Sequence, residues 1–196
     1  MIYLVRHGET VWNESGRLQG RGDSPLTPRG IEQAIAGGRL LKREIRDGQA
    51  VRIESSPLGR ALETTTLLCR EIGVDPATIE VSPLLMEYDC GQWEGMTREE
   101  IEQCGREALP AREADRWNHV VPGGESYAMV FERAARWLAT QSENEVIVAV
   151  THAMISRTIQ GAYTGLSTAE ILLRNHPHDC LYRLYGGKIE EIRFSR

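Results

Sequence analysis

The chain has 196 residues, 41% hydrophobic and 26% charged, the proportions of a soluble globular protein able to bury a core without disulfide staples. Its formal charge of -5 argues against a nucleic-acid partner, which normally shows as a basic domain or stripe, and its apolar runs are too short to span a bilayer. Four scattered cysteines (Cys69, Cys90, Cys104, Cys180) form no CxxC pair and the first strand begins at once, so a single cytoplasmic domain over 1–196 with reduced thiols is expected.

Ile2 to Val5 read as a short strand buried on both faces. It ends on Arg6, His7 and Gly8, which puts a fixed cation beside an imidazole where open α/β sheets hold their ligands. Gly8 is expected to let the backbone turn sharply. Trp12 to Asp23 read as a surface loop in which the Asn13 amide can donate to an oxyanion. Thr27 as N-cap and Pro28 at the first helical position open a helix to about residue 46, with Gly37-Gly38 marking a place of close packing. Val51 to Glu54 form a second strand, and Ser55-Ser56-Pro57 reads as the N-cap and first turn of a helix to about Ile72. Arg60 lies off the apolar stripe of that helix, in its first turn, where a cation opposes the helix dipole unless an anion is held there too.

Ile79 to Ser82 read as a third strand, after which Glu87 follows Leu84, Leu85 and Met86. Partial desolvation among those neighbours would keep a proton available for a leaving alkoxide. Thr97 to Cys104 form a helix with Glu100 as capping-box partner of Thr97. Residues 105 to 123 are poorly patterned and carry Arg106, Arg112, Arg116, Trp117 and His119, so the stretch from about 88 to 123 reads as a lid or insertion. Ser126 enters an amphipathic helix with Val130, Phe131, Ala134, Trp137 and Leu138 facing inward. Val146 to Thr151 is the clearest buried parallel strand, and it too ends on a histidine, His152, before a helix over Ala153 to Thr164. His176-x-His178 lacks third and fourth ligands and reads as solvated loop histidines, not as a metal pair. Cys180 to Tyr185 and Lys188 to Phe194 form a terminal hairpin read as structural, whose charged edge is compatible with a monomer or a homodimer. The pattern specifies a three-layer α/β sandwich, a mostly parallel sheet with helices on both faces and an antiparallel edge.

The Arg6-His7-Gly8-Glu9-Thr10 string at the end of the first strand resembles the signature of the histidine phosphatase superfamily, which includes the cofactor-dependent phosphoglycerate mutases. The resemblance continues through Gly16-Arg17-Leu18-Gln19-Gly20, Ser55-Ser56-Pro57-Leu58-Gly59-Arg60-Ala61, Glu87 with the Gly91-Gln92-Trp93-Glu94-Gly95 that follows it, and Thr151-His152. It departs at Ala153, where the family commonly has glycine.

What the resemblance implies agrees with what these residue types can do. His7 would attack phosphorus as a neutral imidazole, splitting one displacement into two through a covalent phosphohistidine, with no metal or other cofactor required. Arg6, Arg60, Asn13 and His152 would donate to the equatorial oxygens, joined as substrate contacts by Gln19 and Gly20, and Glu87 would serve as acid and then base. The substrate would be a small phosphorylated metabolite. The short segment after Glu87 is similar to the phosphatase branch; a phosphoglycerate mutase is the alternative, and a non-catalytic phospho-ligand binding module the third reading.

Overall fold

In the computed structural model, which describes residues 1–104, 108–142 and 144–194, six strands form one sheet: β1 (Ile2–Arg6), β2 (Val51–Ser55), β3 (Glu80–Val81), β4 (Val146–Thr151), β5 (Cys180–Tyr185) and β6 (Lys188–Arg193). Their order is β3-β2-β4-β1-β5-β6, with β1, β2, β3 and β4 parallel and the β5–β6 hairpin antiparallel. The central strands alternate between two cores. Tyr3, Val5, Val148 and Val150 pack under helices α2 (Pro28–Glu44) and α3 (Gly59–Ile72), whereas Ile2, Leu4, Ile147 and Ala149 pack under α6 (Tyr127–Ala139) and α7 (Ala153–Thr164). Each large apolar side chain fully buried this way contributes about 1.5–3 kcal/mol, so the three expected layers hold each other in place.

Register decides where the chemistry goes. Arg6 pairs with Thr151 and Ser55 with Val150, so β1, β2 and β4 all release their chains at one edge of the sheet. Because β5 runs antiparallel to β1, with Leu181 opposite Val5, the loop that precedes β5 reaches the same edge.

Helix α2 begins as expected, with Thr27 Oγ1 accepting the Gly30 N–H at 3.0 Å, and Gly38 does mark close packing: a Cβ there would sit 2.7 Å from Glu71 Cβ on α3. Helix α4 (Arg98–Cys104) has the Thr97–Glu100 capping box. Other elements differ from the sequence pattern. Helix α3 starts at Gly59, not at Pro57; its N-cap position is Leu58, which offers no side-chain acceptor, and Ser56 is committed elsewhere. The loop after β1 contains a short helix α1 (Val11–Glu14), residues 108–114 form α5 (Ala108–Ala114), and α8 (Thr168–Leu173) follows α7. Arg106 lies outside the described residues. Among the described residues no helix is long and apolar enough to cross a membrane.

Candidate active site

The nucleophile candidate sits just beyond β1. His7 is buried, its N–H bonds Thr151 O at 2.9 Å, and the next amide, Gly8 N–H, reaches Thr64 Oγ1 at 3.0 Å. His7 Nδ1 lies 2.7 Å from Gly8 O, a carbonyl that can only accept, so Nδ1 carries the proton and Nε2 carries the lone pair. The glycine at position 8 answers a close approach and not a turn: it has no positive φ, and a Cβ there would lie 2.2 Å from Gly30 O at the start of α2.

Arg60 donates to that lone pair, His152 stands beside the ring, and Arg6 and Glu87 lie close by. Arg60 donates from Nε to His7 Nε2 at 3.3 Å, from Nη1 to Gly22 O at 2.6 Å and Asp23 Oδ1 at 3.2 Å, and from Nη2 to Gly20 O at 2.8 Å. Asp23 also accepts the Arg60 N–H at 3.3 Å, so a carboxylate from a distant loop relieves part of the conflict between Arg60 and the dipole of α3. Arg6 donates from Nη1 to His176 O at 2.7 Å, and its Nε is buried without a partner. The His152 ring lies 5.0 Å from that of His7, with Nε2 2.7 Å from Ser56 Oγ and Nδ1 buried and unpartnered. Glu87 is half-buried and accepts the N–H groups of Tyr88 (2.9 Å), Met154 (3.1 Å) and Ile155 (3.2 Å), which seats its carboxylate on the N-terminus of α7. Its charge is felt by both guanidiniums, opposing the lowering of Arg6 and of Arg60.

Burial, reinforced by the neighbouring histidine and arginines, pushes His7 well below the ordinary histidine range. His152 moves the same way, through burial first and then Arg60 and Arg6. Both imidazoles are therefore neutral at pH 7, as an attacking nitrogen must be. Burial also lowers Arg6 to about 10.

The three remaining expected contacts lie in the segment after β1, which ends beside Arg60. Asn13 caps α1 reciprocally with Thr10, its Oδ1 accepting Thr10 N–H at 3.2 Å, an arrangement that leaves its Nδ2 out. Gln19 is buried and donates Nε2 to Thr10 Oγ1, steadying the same cap. Gly20, at φ 54°, turns its carbonyl to Arg60. Ala153 introduces no strain, since His152 is extended at φ -128° and among the described residues no non-glycine residue has a positive φ.

The structure corrects the reading of His176 and His178 as solvated. His176 is fully buried with Nδ1 2.6 Å from Ser156 Oγ, and His178 Nδ1 lies 2.8 Å from His7 O. The sequence pattern gives no role to Arg133, yet, buried on α6, it donates to the carbonyls of Leu84 (2.9 Å), Met86 (2.6 Å) and Glu87 (3.3 Å) and pairs with Glu125 at 3.0 Å. The available signal was an arginine next to Ala134 on an otherwise apolar stripe. Among the described residues no three His, Cys, Asp or Glu side chains converge as a metal centre. A cavity of about 810 Å³ bordered by Met1, Leu138, Tyr163 and Tyr185 lies at the opposite edge of the sheet and includes none of these groups.

The family pattern of the histidine phosphatase superfamily (branch 1) matches residues 2–190. A metal-independent phosphoserine phosphatase of Arabidopsis thaliana is 35% identical over 176 residues, 88% of this chain and 72% of that one. The protein named "Probable phosphoglycerate mutase GpmB" in Yersinia pestis is 38% identical over 130 residues, 64% of this chain and 55% of that one. Among solved structures, the alpha-ribazole phosphatase of Shigella flexneri superposes with a TM-score of 0.81 at 25% identity, covering 98% of this chain and 95% of that one.

Proposed function

The chain belongs to the histidine phosphatase superfamily (branch 1), and from that premise we propose that it hydrolyses small phosphate monoesters through a phosphohistidine formed on His7. One observation carries the reading: the His7 Nε2 lone pair lies in a site where Arg6 Nε and His152 Nδ1 are buried with their hydrogen-bonding capacity unused. Buried donors are rarely left unmade, and the three equatorial oxygens of a phosphoryl group are acceptors of the right number and charge. Ser56 adds to this. His152 Nε2 lies 2.7 Å from Ser56 Oγ, and in the tautomer where that hydroxyl donates, the ring proton stands on Nδ1 and the orphan atom is a donor to a phosphoryl oxygen.

In the first step Nε2 attacks phosphorus as the ester P–O bond breaks, and Glu87, which must enter this step in its protonated form, gives that proton to the leaving oxygen and becomes the carboxylate. Arg60 moves its Nε from His7 to a phosphoryl oxygen as the substrate enters. In the second step the Glu87 carboxylate takes a proton from water, the water oxygen attacks phosphorus, and the N–P bond breaks to release inorganic phosphate and neutral His7. We propose that residues 88–104 and 108–123 cover that acid: the Tyr88 ring stacks on Tyr127 at 5.2 Å, and Arg112 of α5 lies over the rings of Trp93 and Tyr127 and donates to Tyr127 Oη at 3.1 Å.

The relatives' names suggest a panel of phosphoserine, alpha-ribazole phosphate and phosphoglycerates. The test is phosphate release across that panel with isomerisation followed in the same tubes, alongside acid-labile labelling of the enzyme and a His7→Ala variant. Release by the wild type, with the label lost in His7→Ala, is the expected result. Isomerisation outrunning release would replace the hydrolase by a mutase, and an unlabelled, inactive wild type would leave a binding module.

A further inference from the structure

We infer that His178 is a positioning residue for the nucleophile, holding the His7–Gly8 peptide through an N–H that it donates to the His7 carbonyl. The inference rests on His7 being the attacking residue and adds a part to that machinery. His178 Nδ1 lies 2.8 Å from His7 O, and since a carbonyl only accepts, Nδ1 must carry the proton. On the other side of the same peptide plane, Gly8 N–H is held by Thr64 Oγ1 at 3.0 Å. One peptide unit is thus pinned at both polar ends, from the loop before β5 and from α3.

The orientation of that plane matters because the His7 ring takes its own direction from the backbone. Its Nδ1–H is aimed at Gly8 O at 2.7 Å, in the peptide that follows the pinned one. Glycine restrains that backbone little by itself, so an untied peptide would let Gly8 O wander and Nε2 with it. His178 also sets its ring edge against the imidazole it serves, at 5.6 Å between centroids and 66° between planes. The same short loop grips Arg6 through His176 O at 2.7 Å, and Pro177 between the two histidines stiffens it. The two histidines that read from sequence as a loop motif therefore hold the ends of the Arg6-His7 pair, and their Nδ1 atoms point to different partners.

The test compares wild type with His178→Ala, His178→Asn and His178→Gln on p-nitrophenyl phosphate, recording kcat, KM, the inhibition constant of inorganic phosphate and Tm. Asparagine places an amide N–H where imidazole Nδ1 stands, two bonds from Cβ, whereas glutamine mimics Nε2. The alanine and glutamine variants should lose roughly tenfold or more in kcat, the scale of a small misplacement of a reacting atom, with KM and phosphate inhibition within about threefold of wild type. The asparagine variant should return kcat to within about threefold. Wild-type kcat in His178→Ala, or losses in all three variants that simply follow Tm, would overturn the inference. Failure of the underlying reading looks different: His7→Ala would then be as active as wild type, whatever position 178 does.

Discussion

Arg133→Met tests whether the acid is placed from beneath. Arg133 is 5% exposed and donates to three neighbouring main-chain carbonyls, Leu84 O, Met86 O and Glu87 O, while its Nη2 meets Glu125 Oε2 at 3.0 Å. Methionine fills a similar volume but leaves three carbonyls short of a donor and Glu125 without its nearest cation. Glu125 keeps two partners, Asp89 N–H at 3.0 Å and Arg21 at 3.3 Å, so the loss belongs at the low end of the about 3–5 kcal/mol typical of breaking a buried pair. A cost of about 3 kcal/mol in a domain of this size corresponds to about 6–12 °C in Tm. Catalysis should suffer separately, because Glu87 hangs from the segment Arg133 clamps, and a displacement of about 1 Å costs up to about a hundredfold in rate.

The double variant Arg133→Met/Glu125→Gln separates the two effects. Neutralising Glu125 removes the uncompensated charge, so part of the Tm should return, giving a coupling of about 1–3 kcal/mol in the cycle. The kcat should stay low, since the three carbonyls are still unheld. If instead kcat recovers together with Tm, or never falls in Arg133→Met, the clamp is a stability device and the reasoning about Glu87 is wrong.

Acid should destabilise the fold through its histidines: burial pushes His7, His152 and His176 well below their ordinary value and His178 to about 4. The unfolded chain takes protons near pH 6.5 that the fold refuses, so stability is complete above about 6.5 and falls below it by about 1.4 kcal/mol per pH unit for each such proton. For His178 the loss ends near 4, and urea midpoints of His178→Asn against wild type between pH 6 and 4.5 should differ in slope by about one proton; equal slopes would refute this. Gly20→Ala should lower both Tm and kcat/KM, because φ is 54° and the added Cβ would stand 2.5 Å from Glu94 Oε1 and 2.9 Å from Cys90 N, displacing the carbonyl that holds Arg60; a strain of about 1–2 kcal/mol is expected, read by thermal unfolding. Inorganic phosphate at about a hundred times its Kd should stabilise wild type by about 2.7 kcal/mol, a shift in Tm that Arg6→Gln should abolish; an unchanged shift in that variant would remove Arg6 from the anion site.

What the sequence shows plainly is whatever depends on burial or on local frustration. Both histidines stand out because buried parallel strands are continuous apolar runs, and β1 and β4 each stop at one. Arg60 stands out because a cation in a first turn is in the wrong place for a helix alone. Residues whose work is done across the chain leave no such trace: Asp23 meets Arg60 from 37 positions away and His178 meets His7 from 171. Helix α8 is a different kind of omission. Ser167 and Glu170 form a capping box that the spacing announces, and the short apolar run after it was too brief to register as periodic.

The site is strained by intention of its electrostatics more than by its backbone. Two guanidiniums share one pocket with neutral imidazoles, Arg6 lowered by its own desolvation and with Arg157 and Arg60 nearby, and Glu87 first among the neighbours that oppose that trend. The fold restrains these groups with carbonyls: His176 O for Arg6, and Gly20 O and Gly22 O for Arg60. Carbonyl dipoles orient a cation without neutralising it, so the positive field survives for an arriving dianion while the guanidiniums stay in place. A carboxylate in those positions would quench the field and compete with phosphate. Asp23, among the described residues the one acid ion-paired with Arg60, is 42% exposed on its side chain and approaches from the solvent side, where water weakens its hold. That division, carbonyls inside and the acid at the rim, is what lets one arrangement be stable when empty and still favour a phosphoryl group.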